Sequence, residues 1–241
     1  MTRLALVALP LLLVGCVRVE SSFSTTVAAE GVTQIFSRVE RGGFEYQGSQ
    51  MLDDFLVYGV SSGTASSRAR AEEKATGNLW DVSAVDDTLQ VMAESLDRGS
   101  VRFKIDGPDM LDTDIEVEDG NVRLEDLTGF HYVTAERIDM DGIVGDVDIY
   151  SHSGGIDVEL LDVWSSVIID SRDGGVDIWL PYGLEYDLEV WGDPDYALTV
   201  EDLGFDDSYI GEGYFAGDAG RSNVEVTLKV LGGSVGVYRS Y

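Results

Sequence analysis

From residue 144 onward, apolar and polar residues alternate in short bursts, and the bursts recur. Ser153-Gly154-Gly155-Ile156-Asp157-Val158-Glu159-Leu160 returns twenty residues later as Asp173-Gly174-Gly175-Val176-Asp177-Ile178-Trp179-Leu180. Val147-Asp148-Ile149 and Val167-Ile168-Ile169 are also twenty apart, so apolar-x-apolar triplets begin at 147, 156, 167 and 176. Period two predicts a strand at each triplet. Val147, Ile149, Ile156, Val158, Leu160, Val167, Ile169, Val176, Ile178 and Leu180 then share one side, and Asp148, Asp157, Glu159, Asp177 and Trp179 face the other. The Gly pairs between strands admit tight turns at positive φ.

A fixed period made of strands alone predicts an all-β chain folded as a single-stranded β-solenoid, a β-helix-like stack with about 20 residues per coil. An antiparallel sandwich also spaces short strands by nine to eleven residues. It has no reason, however, to repeat Gly-Gly-apolar-Asp-apolar at one phase. In a stack, residues twenty apart lie ~4.8 Å apart. Arg137, Asp157 and Asp177 are therefore expected in one outward column, where Arg137 or a cation relieves the like charges.

Alternation predicts further strands at 32–39, 43–46, 55–60, 79–85, 89–93, 101–105, 115–117 and 122–124. One helix is expected over 64–77, rich in Ala, Arg, Glu and Lys, with Thr64 as its cap and Gly77 at its end. Residues 191–220 are acidic, Gly-rich and aromatic and break the repeat, which suggests a protruding loop or an end cap.

The opening of the chain is different. Arg3 precedes an uncharged apolar run over 4–14, interrupted only by Pro10, and Leu13-Val14-Gly15-Cys16 closes it. Eleven residues are too few to cross a bilayer and suit the apolar stretch of an export signal. The tetrapeptide resembles the lipobox of bacterial lipoproteins. That resemblance implies a leader at 1–15, diacylglycerol in thioether linkage to Cys16, and an acylated new amino terminus. Polar residues 17–26 read as a tether reaching at most ~35 Å, so 16–30 form the anchor and tether and 31–241 the body. Val17, where inner-membrane retention would need Asp, implies the outer membrane.

Composition narrows the function. The chain has 45 acidic and 16 basic residues, a formal net charge of −29, and Arg172 is the single basic group in 139–220 among about twenty carboxylates. Such a surface repels phosphate backbones, which argues against nucleic acid as a partner. It suits saline surroundings or a screening cation. Cys16 is the only cysteine, so no disulfide forms within the chain and stability must come from burial and ladder hydrogen bonds.

The body resembles the bacterial putative-adhesin family of β-strand-repeat proteins. The likeness runs through Arg38–Gly48 (RVERGGFEYQG), the helix-bearing stretch, the Gly-Gly-apolar-Asp-apolar repeats, Leu180-Pro181 with Tyr186-Asp187-Leu188-Glu189-Val190, and the closing Gly232-Gly233-Ser234-Val235-Gly236-Val237. It implies an envelope-anchored binding or structural module with no enzymatic activity.

Chemistry is sparse. His131 and His152 are the only histidines and lack metal spacing, and no G-x-S-x-G elbow is present. Asp139, Asp141, Asp146 and Asp148 are weak calcium candidates, although Ile143 and Tyr150 stand where an EF-hand loop needs oxygen ligands. No other cofactor is expected. Trp179, Trp191, Tyr196 and Tyr214 are candidate ligand-contact rings, since glycan-binding faces use such platforms. The partners expected are the membrane through Cys16 and a glycan or an envelope protein. A periplasmic accessory protein contacting another envelope protein is the alternative, and a polysaccharide-acting enzyme comes third.

Overall fold

A computed structural model describes residues 16–201, 203–220 and 223–240; the expected leader lies outside the described residues. The amino-terminal part contains β1 (Val17–Ala28), β2 (Gln34–Gly48), β3 (Asp54–Ala65), α1 (Arg68–Gly77), β4 (Leu79–Val85), β5 (Thr88–Glu94) and β6 (Gly99–Gly107). The middle contains β7 (Asp112–Glu125), β8 (Thr128–Ala135), β9 (Arg137–Ser151), β10 (Ile156–Asp162), β11 (Ser166–Ser171) and β12 (Val176–Leu180). The carboxy-terminal part adds β13 (Tyr186–Gly192), β14 (Leu198–Val200), β15 (Asp207–Gly211), β16 (Tyr214–Ala219), β17 (Glu225–Val230) and β18 (Val235–Arg239).

These strands pair into one mixed sheet that runs as two ladders. The first ladder is ordered β4, β5, β2, β7, β8, β9, β11, β17, β13, β16, β15. The second is ordered β1, β3, β6, β2, β7, β9, β10, β12, β18, β14. β2, β7 and β9 run through both, because the chain turns the corner at Gly42, Gly120 and Gly145 without leaving the ladder pattern. This is why the paired short strands expected at 32–39 and 43–46, and at 115–117 and 122–124, are continuous. The inward residues of both ladders form one core that includes all ten repeat positions from Val147 to Leu180.

The repeat itself pairs as its spacing requires: Val147 lies beside Val167, Ile156 beside Val176 and Val158 beside Ile178, all parallel. The structure corrects the single-stranded succession of twenty-residue coils in three ways. The step is eighteen residues from Ile138 to Ile156 and sixteen from Val122 to Ile138. Spatial order departs from chain order at both ends. β2 lies between β6 and β7 on the second ladder, and the coil β17–β18 lies between β11–β12 and β13–β14. The outer strands β1, β3, β4, β15 and β16 pair antiparallel. A parallel stack needs its open ends covered; antiparallel strands from the two chain ends cover both ends of the first ladder and the β1 end of the second, whose other end is β14, parallel to β18. Residues 191–220, expected to leave the repeat, supply this cap through β15 and β16.

Two local expectations also change. The segment read as a tether is β1, paired with β3 along its length. Its Ser and Thr residues conceal an alternation in which Phe23 turns inward, stacks on Trp80 at 3.6 Å and meets Phe103 edge-on. The helix begins at Arg68, after Ser67, which makes no side-chain capping hydrogen bond; Thr64 belongs to β3. Ala71 and Ala75 are its buried residues, because only small side chains fit where the helix presses on Gly63.

The repeat corners make a test of this packing. Gly174 has φ +153°, and an added Cβ would run into the Gly154 carbonyl oxygen of the neighbouring coil, whereas Gly183, at φ +83°, faces open space. Gly174→Ala is expected to lower unfolding free energy in urea by more than 3 kcal/mol, and Gly183→Ala by only about 1 kcal/mol. Equal losses would contradict the stacked corner.

Candidate functional site

The outward faces of the two ladders differ in chemistry. On the second, consecutive strands bring Lys104, Glu45, Arg123, Asp139, Asp157 and Asp177 into one row. The expected Arg137–Asp157–Asp177 column is corrected here: the eighteen-residue step sets Asp139 opposite Asp157. Arg137 reaches Asp157 diagonally, with Nη2 at 3.5 Å from Oδ2. Partial burial raises the Asp157 pKa against the pull of Arg137, and Asp177 and Asp139 push it further up. This face is a charged, solvated surface.

The first ladder is aromatic. Phe36, Asp114, Tyr132, Asp148 and Ile168 occupy successive strands in one outward row. Phe130 stands beside Tyr132, and Trp164, just before β11, meets it edge-to-face at 5.4 Å. Phe130, Tyr132, Trp164 and Ile168 keep 44–55% of their surface exposed, so large apolar side chains lie open on this outward face. Phe130, Tyr132 and Ile168, together with Gln34, Asp112 and Asp148, border a shallow depression of about 290 Å³, with Trp164 packed against Phe130 outside it. Asp112 accepts the Phe130 N–H at 2.8 Å and so fixes that strand end. Asp114 is held by Arg38, which also binds Glu116. Asp148 makes no ion pair among the described residues, and partial burial raises its pKa above the ordinary carboxylate range. It is the acceptor left free in this row. A larger depression, about 560 Å³, continues the same face toward β4 between Leu79, Met92, Glu40, Glu94 and Glu118.

The residues singled out from sequence are scattered over the surface. Cys16 is exposed immediately before β1. Asp139 and Asp141 lie on the second ladder and Asp146 and Asp148 on the first, across the Gly145 corner. Asp146 is occupied: its carboxylate accepts the N–H groups of Ser165 and Ser166 and the Ser165 hydroxyl. Burial opposes its ionisation, but these donors outweigh burial and hold its pKa below the usual value. Among the described residues, no group of three or more His, Cys, Asp or Glu is arranged to hold a metal.

Trp179 stacks on Tyr238 at 5.3 Å on the second ladder. Trp191 and Tyr214 meet at 4.5 Å at the far end of the first, where the Tyr214 hydroxyl donates to Glu189 at 3.0 Å. Tyr196 is exposed in the 193–196 turn. The rings at the depression were missed, although the sequence carries their signal. Phe130-His131-Tyr132-Val133 and Val167-Ile168-Ile169 place large apolar residues where alternation calls for polar ones.

No family model matches the chain, and no curated protein matches it. Among solved structures, the fold is similar to that of a "putative cell adhesion protein" from Clostridium sporogenes, with a TM-score of 0.53. That match has 14% identity and covers 92% of this chain and 100% of the other. A "putative adhesin" from Bacteroides fragilis matches over 90% of this chain and 97% of its own at 9% identity and a TM-score of 0.26. Another from Parabacteroides merdae matches over 92% of each chain at 9% identity and a TM-score of 0.27.

Proposed function

We propose that the chain is an outer-membrane lipoprotein, anchored through Cys16, whose β-helix-like body is an adhesin-like module that binds a glycan on the first ladder's outward face. The observation that carries this reading is the in-register row Phe36–Asp114–Tyr132–Asp148–Ile168 with Phe130 and Trp164 beside it. Ring faces accept the C–H side of a sugar, and free carboxylates accept its hydroxyls. A flat ladder repeats these contacts at ~4.8 Å per strand, which suits an extended polymer lying across the strands. The net charge of −29 disfavours uronate, sulfate and phosphate groups, so the ligand class is a neutral or amino-sugar glycan. The lipobox-like Leu13-Val14-Gly15-Cys16 supports the anchor, and the fold likeness to a cell adhesion protein supports the adhesin-like role.

The test is a glycan array probed with the wild type and with Tyr132→Ala and Trp164→Ala. The wild type is expected to bind neutral or amino-sugar chains, and each variant to weaken binding about fivefold, near 1 kcal/mol per ring. Selective binding of sulfated or uronate glycans would overturn the reading. A silent array, with capture of one membrane protein from detergent extracts, would replace it by the accessory-protein alternative.

A further inference from the structure

We propose that the end of the stack formed by β1, α1 and the turn before β6 rests against an anionic lipid surface, with the stack axis pointing away from it. The inference depends on the reading of Cys16 as the lipid-bearing residue and adds an orientation to it. The strand β1 begins at the residue after Cys16, and Val17 is already in register with Ala65. An anchor on Cys16 therefore leaves about one residue of slack, ~3.5 Å. This corner of the body is held at the headgroups and cannot swing freely.

The corner is also the part of the molecule whose charge suits that position. Arg18 lies opposite Thr64, whose N–H donates to the Arg98 carbonyl at 3.3 Å. The helix α1, carrying Arg68, Arg70 and Lys74, is tied to the same strand end by the Ser61 hydroxyl, which donates to the Ala75 carbonyl at 2.6 Å. Five of the chain's 16 Lys and Arg thus gather here, against four of its 45 Asp and Glu: Glu20, Glu72, Glu73 and Asp97. Three of the five are paired locally, as Arg18–Glu20, Arg68–Glu72 and Lys74–Asp97. Arg70 and Arg98 are exposed and make no ion pair among the described residues, and exposed Leu96 stands beside the end of α1.

Farther along the stack acid predominates, most of all over 139–220, where Arg172 is the single basic group among about twenty carboxylates. Anionic headgroups attract exposed guanidinium groups within a Debye length and repel the acidic remainder. Both effects turn the same end toward the lipid. Nine inter-strand steps lead from β1 to β14 on the second ladder, so the opposite end stands ~43 Å farther out.

The test uses the lipidated full chain in vesicles of phosphatidylglycerol and phosphatidylcholine doped with a nitroxide-headgroup lipid. Acylation blocks Cys16, so a fluorophore on Ala69→Cys or Asp195→Cys labels one site each. Both positions are exposed, one on α1 and one beyond β13. Quenching at 69 is expected to be at least fivefold that at 195. Arg70→Glu combined with Arg98→Glu should reduce quenching at 69 on these vesicles and change it little on pure phosphatidylcholine. Failure of the chain to float with vesicles would overturn the anchor reading. Flotation with equal, weak quenching at both sites would leave the anchor intact and overturn the docked orientation.

Discussion

Val158→Asp is expected to unfold the body. Val158 is fully buried in β10, between Met140 on β9 and Ile178 on β12. A carboxylate there would sit inside one continuous apolar core. Leaving it unpaired costs at least ~4 kcal/mol, comparable with the whole stability of a typical domain. Val158→Ala removes two methyl groups without burying charge and should cost about 2 kcal/mol. The neighbouring Asp157 points outward amid Asp139 and Asp177. Asp157→Asn should therefore stay within about 0.5 kcal/mol of the wild type. Urea unfolding of the three variants checks the series, and equal midpoints for Val158→Asp and Asp157→Asn would contradict the assignment of inward and outward faces.

Acid is expected to weaken the fold through His131. This residue is 2% exposed, and its Nδ1 shares a hydrogen bond of 3.1 Å with the Thr113 hydroxyl. Its Nε2 is buried without a partner among the described residues. Burial lowers the pKa from 6.5 to about 4, against a weaker opposing pull from Asp112. The fold therefore prefers the neutral ring, and the unfolded chain binds the proton first. Stability attributable to His131 is fully present above pH 6.5 and is lost as pH falls toward 4. The loss between those two values amounts to roughly 3 kcal/mol. Protonation of surface carboxylates acts in the opposite direction over the lower part of that range, because it relieves repulsion in a chain of net charge −29. Replacement of His131 by Leu should flatten the slope of stability between pH 6.5 and 4.5 while leaving the carboxylate effect in place. An unchanged slope would show that His131 ionises freely in the folded state.

The repeat from 147 to 180 was legible because each strand buries one face only, so alternation survives in the letters. The neighbouring steps of eighteen and sixteen residues were hidden. Corners of different length, such as Gly142 to Gly145, change the step without changing the pairing. The buried corner serines were also unread. Ser151 donates to the Glu136 and Ser153 carbonyls, and Ser171 to that of Gly174, so two polar letters inside the repeat serve the turns. Insertion of β2 between β6 and β7, and of β17–β18 between earlier coils, leaves no local trace, since it is fixed by long-range pairing of similar strands. Rings at the carboxy-terminal end drew attention by crowding. The Phe130–Tyr132–Trp164 group became visible only when two separate segments, β8 and the turn before β11, met on one face.

Hydroxyl-radical footprinting of the aromatic side chains, with and without the bound glycan, tests most directly that the first ladder is the binding face. Protection is expected at Phe130, Tyr132 and Trp164, with Tyr182 and the Trp179–Tyr238 pair labelled equally in both states. Protection centred on Trp179 and Tyr238, with Phe130, Tyr132 and Trp164 unchanged, would place binding on the charged ladder and contradict the account.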